Sequence, residues 1–202
     1  MGNFLDSPEQ AIILESSPEI AHPVGSYINF GHYEQDADSS NGQEPILWRI
    51  LAYDNDIAIM ISEKILDGHR FADTRQAYYR GSELERFLHD DFYYSAFTRE
   101  ENSIIYSFGC FSASEVNTYM STNNDRIAWP TPYASLKINI DSYGSVNGSG
   151  MWWTSSLTNE GFVNLVWANG SLQDSVLTAT SENVGVRPGI MIDMQSFMDG
   201  DY

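Results

Sequence analysis

Cys110 is the single cysteine of this 202-residue chain and stands between aromatics in FGCFSAS. A thiol attacks only as thiolate, which needs a base beside it and an electropositive setting. An acidic chain with aromatic flanks offers the reverse, so an inert, buried cysteine is expected. His22, His32, His69 and His89 are scattered singly, without the i, i+4 spacing of helical metal ligands. Asp90 with Asp91, and Glu100 with Glu101, are adjacent and splay apart on a helix, which suits a solvated face and not a glycosidase dyad. No G-x-S-x-G, P-loop, H-E-x-x-H or G-x-G-x-x-G pattern occurs. These residues point to a protein that is not an enzyme and carries no cofactor or metal. The rival is an enzyme acting on cell-wall or glycan substrates, its carboxylates converging only in three dimensions.

Arg49 in ILWRIL and Arg187 in VGVRPGI lie inside apolar runs. A guanidinium so placed must bond carboxylates or carbonyls, and a fixed ion pair pinning sheet to loop is the expectation for both. Against 10 basic residues stand 28 acidic ones, a formal net charge of -18. Phosphate backbones and anionic leaflets would repel such a chain, so nucleic acid is not an expected partner. Asp36, Asp38 and Glu44 could gather around calcium, but they lack the Asp-x-Asp-x-Asp-Gly spacing of a calcium loop. No run of 18 apolar residues is present, so no transmembrane segment is expected. The start, MGNFLDSPEQAIILES, has no basic region, and the apolar run at 11–14 is too short for a signal peptide.

Prolines and acids mark residues 1–24 as an extended arm, and 25–202 as one domain of a size that forms a single core. Alternation predicts a strand over 25–33, and two more over 46–52 and 57–62 joined by a turn at Asp54, Asn55 and Asp56. Ser82 with Glu85 and Thr98 with Glu101 are capping-box pairs, predicting an amphipathic helix through GSELERFLHDDFYYSAF and a short one over 98–106. A third short helix is expected over 112–119, and Pro130 and Pro132 should break regular structure in 129–137. MWWTSS, FVNLVWANGSL, SVLTAT and GVRPGIMI read as strands. The order predicts an α+β fold with a mainly antiparallel sheet built from both ends of the chain and a few helices in the middle.

In series, GSYINFGHYEQ, EPILWRIL, ISEKILDGHRF, GSELERFLHDDFYYSAFTREE, PTPYA, MWWTSS and GVRPGIMI resemble an uncharacterised bacterial domain family met in secreted or surface proteins of gut Firmicutes. Its pattern runs P-I-x-W-R, W-W-x-x-S and G-V-R-P, and the resemblance spans residues 25 to about 193. The W-W and G-V-R-P ends also resemble C-type-lectin-like folds, among them formylglycine-generating enzymes and variable proteins diversified by retroelements. The resemblance implies a C-type-lectin-like fold with N- and C-terminal strands paired. It also implies secretion or a cell-surface location, with a leader absent from this sequence, although one cysteine suits the cytoplasm as well. Thr154 and Ser155 stand where the family has Leu and Arg. The single cysteine argues against formylglycine chemistry, and the lectin calcium motifs are missing.

In the diversified relatives, variation falls between W-W and G-V-R-P, which here spans residues 154–183. That span mixes Asn, Ser and Thr with Leu157, Phe162 and Trp167, a paratope-like composition. Parity turns Val163, Leu165 and Trp167 to one side and Phe162, Asn164 and Val166 to the other; Val176 and Leu177 are expected inside. The site expected from these considerations comprises Thr154, Leu157, Asn159, Phe162, Asn164, Trp167 and Asn169. Phe162 and Trp167 would anchor, and Thr154, Asn159, Asn164 and Asn169 would hydrogen-bond. The implied function is non-catalytic recognition of a protein or glycan ligand on another cell or surface, in the manner of a retroelement-diversified variable protein. A structural module of a surface assembly is the other alternative. Of the paired tryptophans, at least one must pack inward.

Overall fold

A computed structural model describes residues 17–74, 78–140, 145–158, 162–174 and 179–200, with 173 and 174 described in backbone alone. Five strands, β1 (Tyr27–Tyr33), β2 (Glu44–Asp54), β3 (Ile57–Ser62), β5 (Ile105–Gly109) and β10 (Gly189–Asp193), form one antiparallel sheet in the order β1-β2-β3-β10-β5. Five more, β4 (Asp67–Gly68), β6 (Trp152–Leu157), β7 (Val163–Val166), β8 (Leu172–Asp174) and β9 (Gly185–Val186), form a second sheet in the order β4-β9-β6-β7-β8. Only the β6–β9 pair in it is parallel. The fold is therefore mixed α+β and mainly antiparallel, its described strands divided between two sheets. The first sheet does join both ends of the chain, but β10 lies between β3 and β5, not against β1.

Strand formation follows side-chain alternation in β2, where Ile46, Trp48 and Ile50 are buried while Leu47 is exposed. In β3 both faces are covered: Ala58 and Met60 enter one core, Ile59 and Ile61 the other. A continuous apolar run, IAIMIS, is what such a strand needs. The β2–β3 turn places Asn55 at φ 54, a left-handed position that asparagine tolerates.

The helical middle is more broken than its periodicity suggests. Ser82 Oγ accepts from the Glu85 N–H, but the Glu85 carboxylate bonds Gly81 N–H, so that box is half formed. From there α2 (Glu83–Arg86) and α3 (Tyr93–Ala96) are joined by a π-helical stretch, Phe87–Phe92. Leu84, Leu88, Phe92 and Ala96 are buried four residues apart; winding wider than 3.6 residues per turn keeps that spacing on one line. Thr98 and Glu101 complete a capping box for α4 (Arg99–Asn102). The helix expected over 98–106 ends there, because β5 pairs with β10 from Ile105 onward. α5 (Ala113–Tyr119) has a complete box between Ser112 and Glu115, and α6 (Asn123–Arg126) one between Thr122 and Asp125. In 129–137 the chain is not simply broken: Thr131 caps α7 (Pro132–Ser135), whose proline sits where the absent N–H costs nothing.

Residues 1–16 of the expected arm lie outside the described residues. Its remainder docks: α1 (Pro18–Ala21) buries Pro18, the Tyr53 hydroxyl donates to the His22 carbonyl at 2.7 Å, and the His22 ring meets Phe197 of α8 (Met194–Asp199) edge-on.

Arg187, in the link between β9 and β10, is almost completely buried. Its Nε donates to the Ser62 carbonyl at 2.9 Å, Nη1 to Arg126 at 3.1 Å and Nη2 to Glu63 at 3.4 Å. The guanidinium lies 5.1 Å from the Trp152 ring centroid. The expected ion pair is replaced here by carbonyls, whereas Arg49 does approach Glu63, at 3.9 Å. Burial, with Arg49 nearby, pushes the Arg187 guanidinium down to about 9, which leaves it charged at neutral pH. Replacing Arg187 by Leu would remove a donor from the buried Ser62 carbonyl, from the half-buried Glu63 carbonyl and from the Arg126 carbonyl, which keeps the Trp152 N–H. We expect Arg187→Leu to cost about 3 kcal/mol or more of unfolding free energy, read from urea denaturation. Unchanged stability would mean that the carbonyls find other donors.

Candidate functional site

Trp152 and Trp153 sit at the start of β6, fully buried on opposite faces of the second sheet. Each indole N–H is satisfied, Trp152 by the Arg126 carbonyl at 3.1 Å and Trp153 by that of His69 at 2.7 Å. Both paired tryptophans are therefore scaffold. Thr154 follows them inside: it is buried, and its hydroxyl donates to the Asn164 carbonyl at 2.7 Å. The expectation that Thr154 offers a surface hydrogen bond is thereby corrected; its polar group is spent tying β6 to β7.

Val166 is a second correction. Parity turns it away from Val163 and Leu165, as expected, yet that side is not solvent. It enters a second core with Trp152, Ile59, Ile61, Phe111 and Val116, because α5, α7 and the segments beside them cover this face. Leu157 and Trp167 are half-buried against the first core. The Trp167 indole N–H is buried and finds no partner among the described residues. Val176 and Leu177 lie outside the described residues, as do Asn159 and most of SVLTAT.

With both faces covered, the strand ends are left for display. At one end of β7, Phe162 is 40% exposed. The Thr158 N–H donates to the Phe162 carbonyl at 2.7 Å and the Phe162 N–H to Thr158 Oγ1 at 3.2 Å, closing the hairpin around it. At the other end, the 167–171 turn is held by Ser171 N–H and Oγ donating to Asn169 Oδ1 at 3.0 and 2.8 Å. Four residues of β7, about 13 Å of strand, lie between these ends. Phe162 and Asn169, grouped by the sequence into one face, therefore belong to two. Asn164 lies between them, half-buried. The chain matches no family model, no curated protein and no solved structure.

Other polar groups converge without a sequence signal. Asp67, buried in β4, accepts from the Tyr33 hydroxyl at 2.5 Å, from the Gly68 N–H at 2.6 Å and from Lys137 Nζ at 2.7 Å to Oδ1. Burial would lower the Lys137 ammonium; hydrogen bonds to Asp67 and Tyr133 outweigh it and hold the group above its ordinary value. His69 stacks on Phe87, ring centroids 4.5 Å apart, beside Arg70. The Arg70 guanidinium gathers the carboxylates of Glu83, Asp73 and Glu182, and its hydrogen bond to Glu83 holds it above its ordinary value. For calcium, the carboxylates that approach are those of Glu34, Asp36 and Glu44, within 4.8 Å of one another. Asp38 is not of that group and instead binds Ser40. The three accept from Ala37, Asn41 and Gln35 of their own loop, so they brace its fold.

A 180 Å³ cavity is lined by Tyr79, His89, Cys110, Phe111 and Glu115, among others. Desolvation pushes the Cys110 thiol up to about 12, and a hydrogen bond with Tyr79 only partly opposes this. Iodoacetamide at pH 8 should therefore modify the native protein far more slowly than the urea-unfolded chain; equal rates by mass spectrometry would place the thiol in water. Burial also raises Tyr33, with the Asp67 charge adding to it, and raises Tyr79; it brings Tyr53 up to about 12. A phenol that titrates higher folded than unfolded stabilises below its ordinary value of 10.0, and that stability is lost as pH rises further. Near-ultraviolet titration is expected to show these three ionising only as circular dichroism reports alkaline unfolding.

Proposed function

We propose that this chain is a non-catalytic recognition domain of C-type-lectin-like architecture that binds a protein or glycan partner at a secreted or cell-surface location. The carrying observation is Phe162: a large ring, 40% exposed, on a hairpin end whose two mutual hydrogen bonds fix its backbone. Aromatic rings on rigid supports give binding area at low entropic cost. Leu157 and Thr158 accompany it on the same hairpin. At that end of β6, the Ser155 N–H donates to the Phe111 carbonyl at 2.9 Å, which ties the display to the cavity beside Cys110.

Several groups that could catalyse are engaged in the scaffold, which favours recognition over the enzyme alternative. The Cys110 thiol is driven away from thiolate, Asp67 accepts from three donor residues, and the Glu101 carboxylate accepts from the N–H groups of Gly31 and of Thr98, its own helix cap. Reading the 154–183 span as the diversified part of such a protein rests on its likeness in motif order to the variable proteins. Its structural contribution narrows to the hairpin ends, since Thr154, Val163, Leu165 and Val166 are interior.

Screening the protein against displayed protein libraries and arrayed glycans should return ligands that Phe162→Ala binds about tenfold or more weakly. Ligands held equally by parent and variant would take the site away from this hairpin.

A further inference from the structure

Trp129 is an exposed tryptophan, 41% accessible, whose indole N–H donates to the Asn147 carbonyl at 3.2 Å. Its partner turn is built with care. Asn147 and Gly148 both have positive φ, 52 and 84, the pair a type I′ turn uses. Ser149, fully buried, closes it: its Oγ accepts from the Val146 N–H at 2.8 Å and donates to the Ala168 carbonyl at 2.7 Å. Behind Trp129, the Gly150 N–H donates to the Ala128 carbonyl at 3.0 Å. The 145–149 turn is thus locked to the 167–171 turn, where Asn169 has Oδ1 fixed by Ser171 and its amide NH₂ without a partner among the described residues. Gly170 completes the junction: a Cβ there would lie 1.9 Å from the Asn123 carbonyl, so the α6 start packs directly on the turn.

Charge is sparse at this corner of a strongly acidic chain, where Lys64 comes nearest in sequence through Ile65, whose N–H donates to the Trp129 carbonyl at 3.1 Å. Segments 121–124 (STNN), 127–136 (IAWPTPYASL), 145–150 (SVNGSG) and 167–172 (WANGSL) contain no Asp, Glu, Lys or Arg. The intervening pair is occupied: Asp125 bonds Thr122, and buried Arg126 donates to the Met120 carbonyl and Asn117. An exposed ring, fixed at one edge, with asparagines on the turns that support it and few charges nearby, matches a ligand with an apolar face and a rim of neutral donors and acceptors.

We propose that Trp129, with Asn147 and Asn169, forms a binding platform for a neutral saccharide. The C–H face of a pyranose carries slight positive charge and stacks on the negative face of the indole. Amide groups both donate and accept, as hydroxyl recognition requires. The -18 net charge leaves a neutral sugar unopposed while repelling phosphorylated or acidic ones. The platform lies at the far end of β7 from Phe162 and does not depend on the role proposed for that residue.

Native affinity electrophoresis tests it, with a glucan, a galactan, a mannan and the anionic polygalacturonate cast separately into the gel. At least one neutral polysaccharide should retard the parent, and polygalacturonate should not. Trp129→Ala should lower the apparent affinity about tenfold or more, with near-ultraviolet circular dichroism reporting on its fold. Asn147→Gly, which accepts the positive φ and keeps the carbonyl that holds the ring, and Asn169→Asp, which keeps the oxygen that Ser171 bonds and loses the amide donors, should each weaken retardation, and they decide the matter should Trp129→Ala fail to fold. Phe162→Ala should behave as the parent does. No retardation by any of the three neutral polymers, or equal retardation of parent, Trp129→Ala and both asparagine variants, overturns the proposal and leaves the Phe162 reading standing. Loss of retardation in Phe162→Ala alone overturns it in favour of the hairpin.

Discussion

A buried guanidinium bonded to backbone carbonyls holds the two sheets of this protein together. Arg187 reaches the end of β3 through Ser62 and Glu63, the end of α6 through Arg126, and the start of β6 through the face of Trp152. Taking a cation out of water is costly, and only donors in fixed geometry and an electron-rich ring offset that cost. Lysine could not substitute, because a planar fork is what meets three carbonyls on different segments at once. The Arg126 carbonyl is an orphan of a helix end, and it accepts from both Arg187 and Trp152. One helix terminus thereby becomes the point where sheet, sheet and helix are fixed to one another.

From that junction the rest of the second sheet is determined. Trp152 is pinned on one face, so pleating sends Trp153 to the other, and its N–H finds His69 beside β4. Two tryptophans on opposite faces require cover on both, which α5 and α7 provide on one side and the first sheet with the helix over 83–96 on the other. A sheet sandwiched this way has no free face to offer a ligand. Whatever it displays must come from its strand ends, and there the exposed Phe162 and the turn carrying Asn169 are found.

The strands and capped helices were largely legible in the sequence because alternation and capping are local. Thr98 with Glu101 acts within one turn of chain and closes as its spacing implies, whereas Ser82 with Glu85 closes only in part because the Glu85 carboxylate turns to the Gly81 N–H. The face assignments were only half legible. Parity correctly separated Val166 from Val163 and Leu165, but parity cannot say whether the second side meets water or another core. Thr154 looked like a surface group because the resemblance opens the variable span at it, and the hydroxyl's partner, the Asn164 carbonyl, lies on the next strand. Contacts between distant segments left no trace at all: Tyr33 and Lys137 meet at Asp67 across 34 and 70 residues. Trp129 was visible only as part of a proline-broken stretch, since its support arrives 18 residues later, at Asn147.

The acidity of the chain reads differently once its cations are placed. Arg49, Arg70, Arg126, Lys137 and Arg187 are each bound to carboxylates or carbonyls of the protein itself. Lys64, Arg80, Arg86 and Arg99 are exposed, but 28 acidic residues outnumber all 10 basic ones, and the resulting field works against anionic ligands. Selectivity then needs few specific contacts, because a neutral partner is favoured by exclusion of charged ones before any ring or amide is touched. Segments 121–124, 127–136 and 145–150 bring no charged side chain of their own to Trp129, and Phe162 is flanked on its hairpin by Leu157 and Thr158, both uncharged. A ligand at either place would be held by apolar contact and neutral hydrogen bonds, interactions that salt screens little.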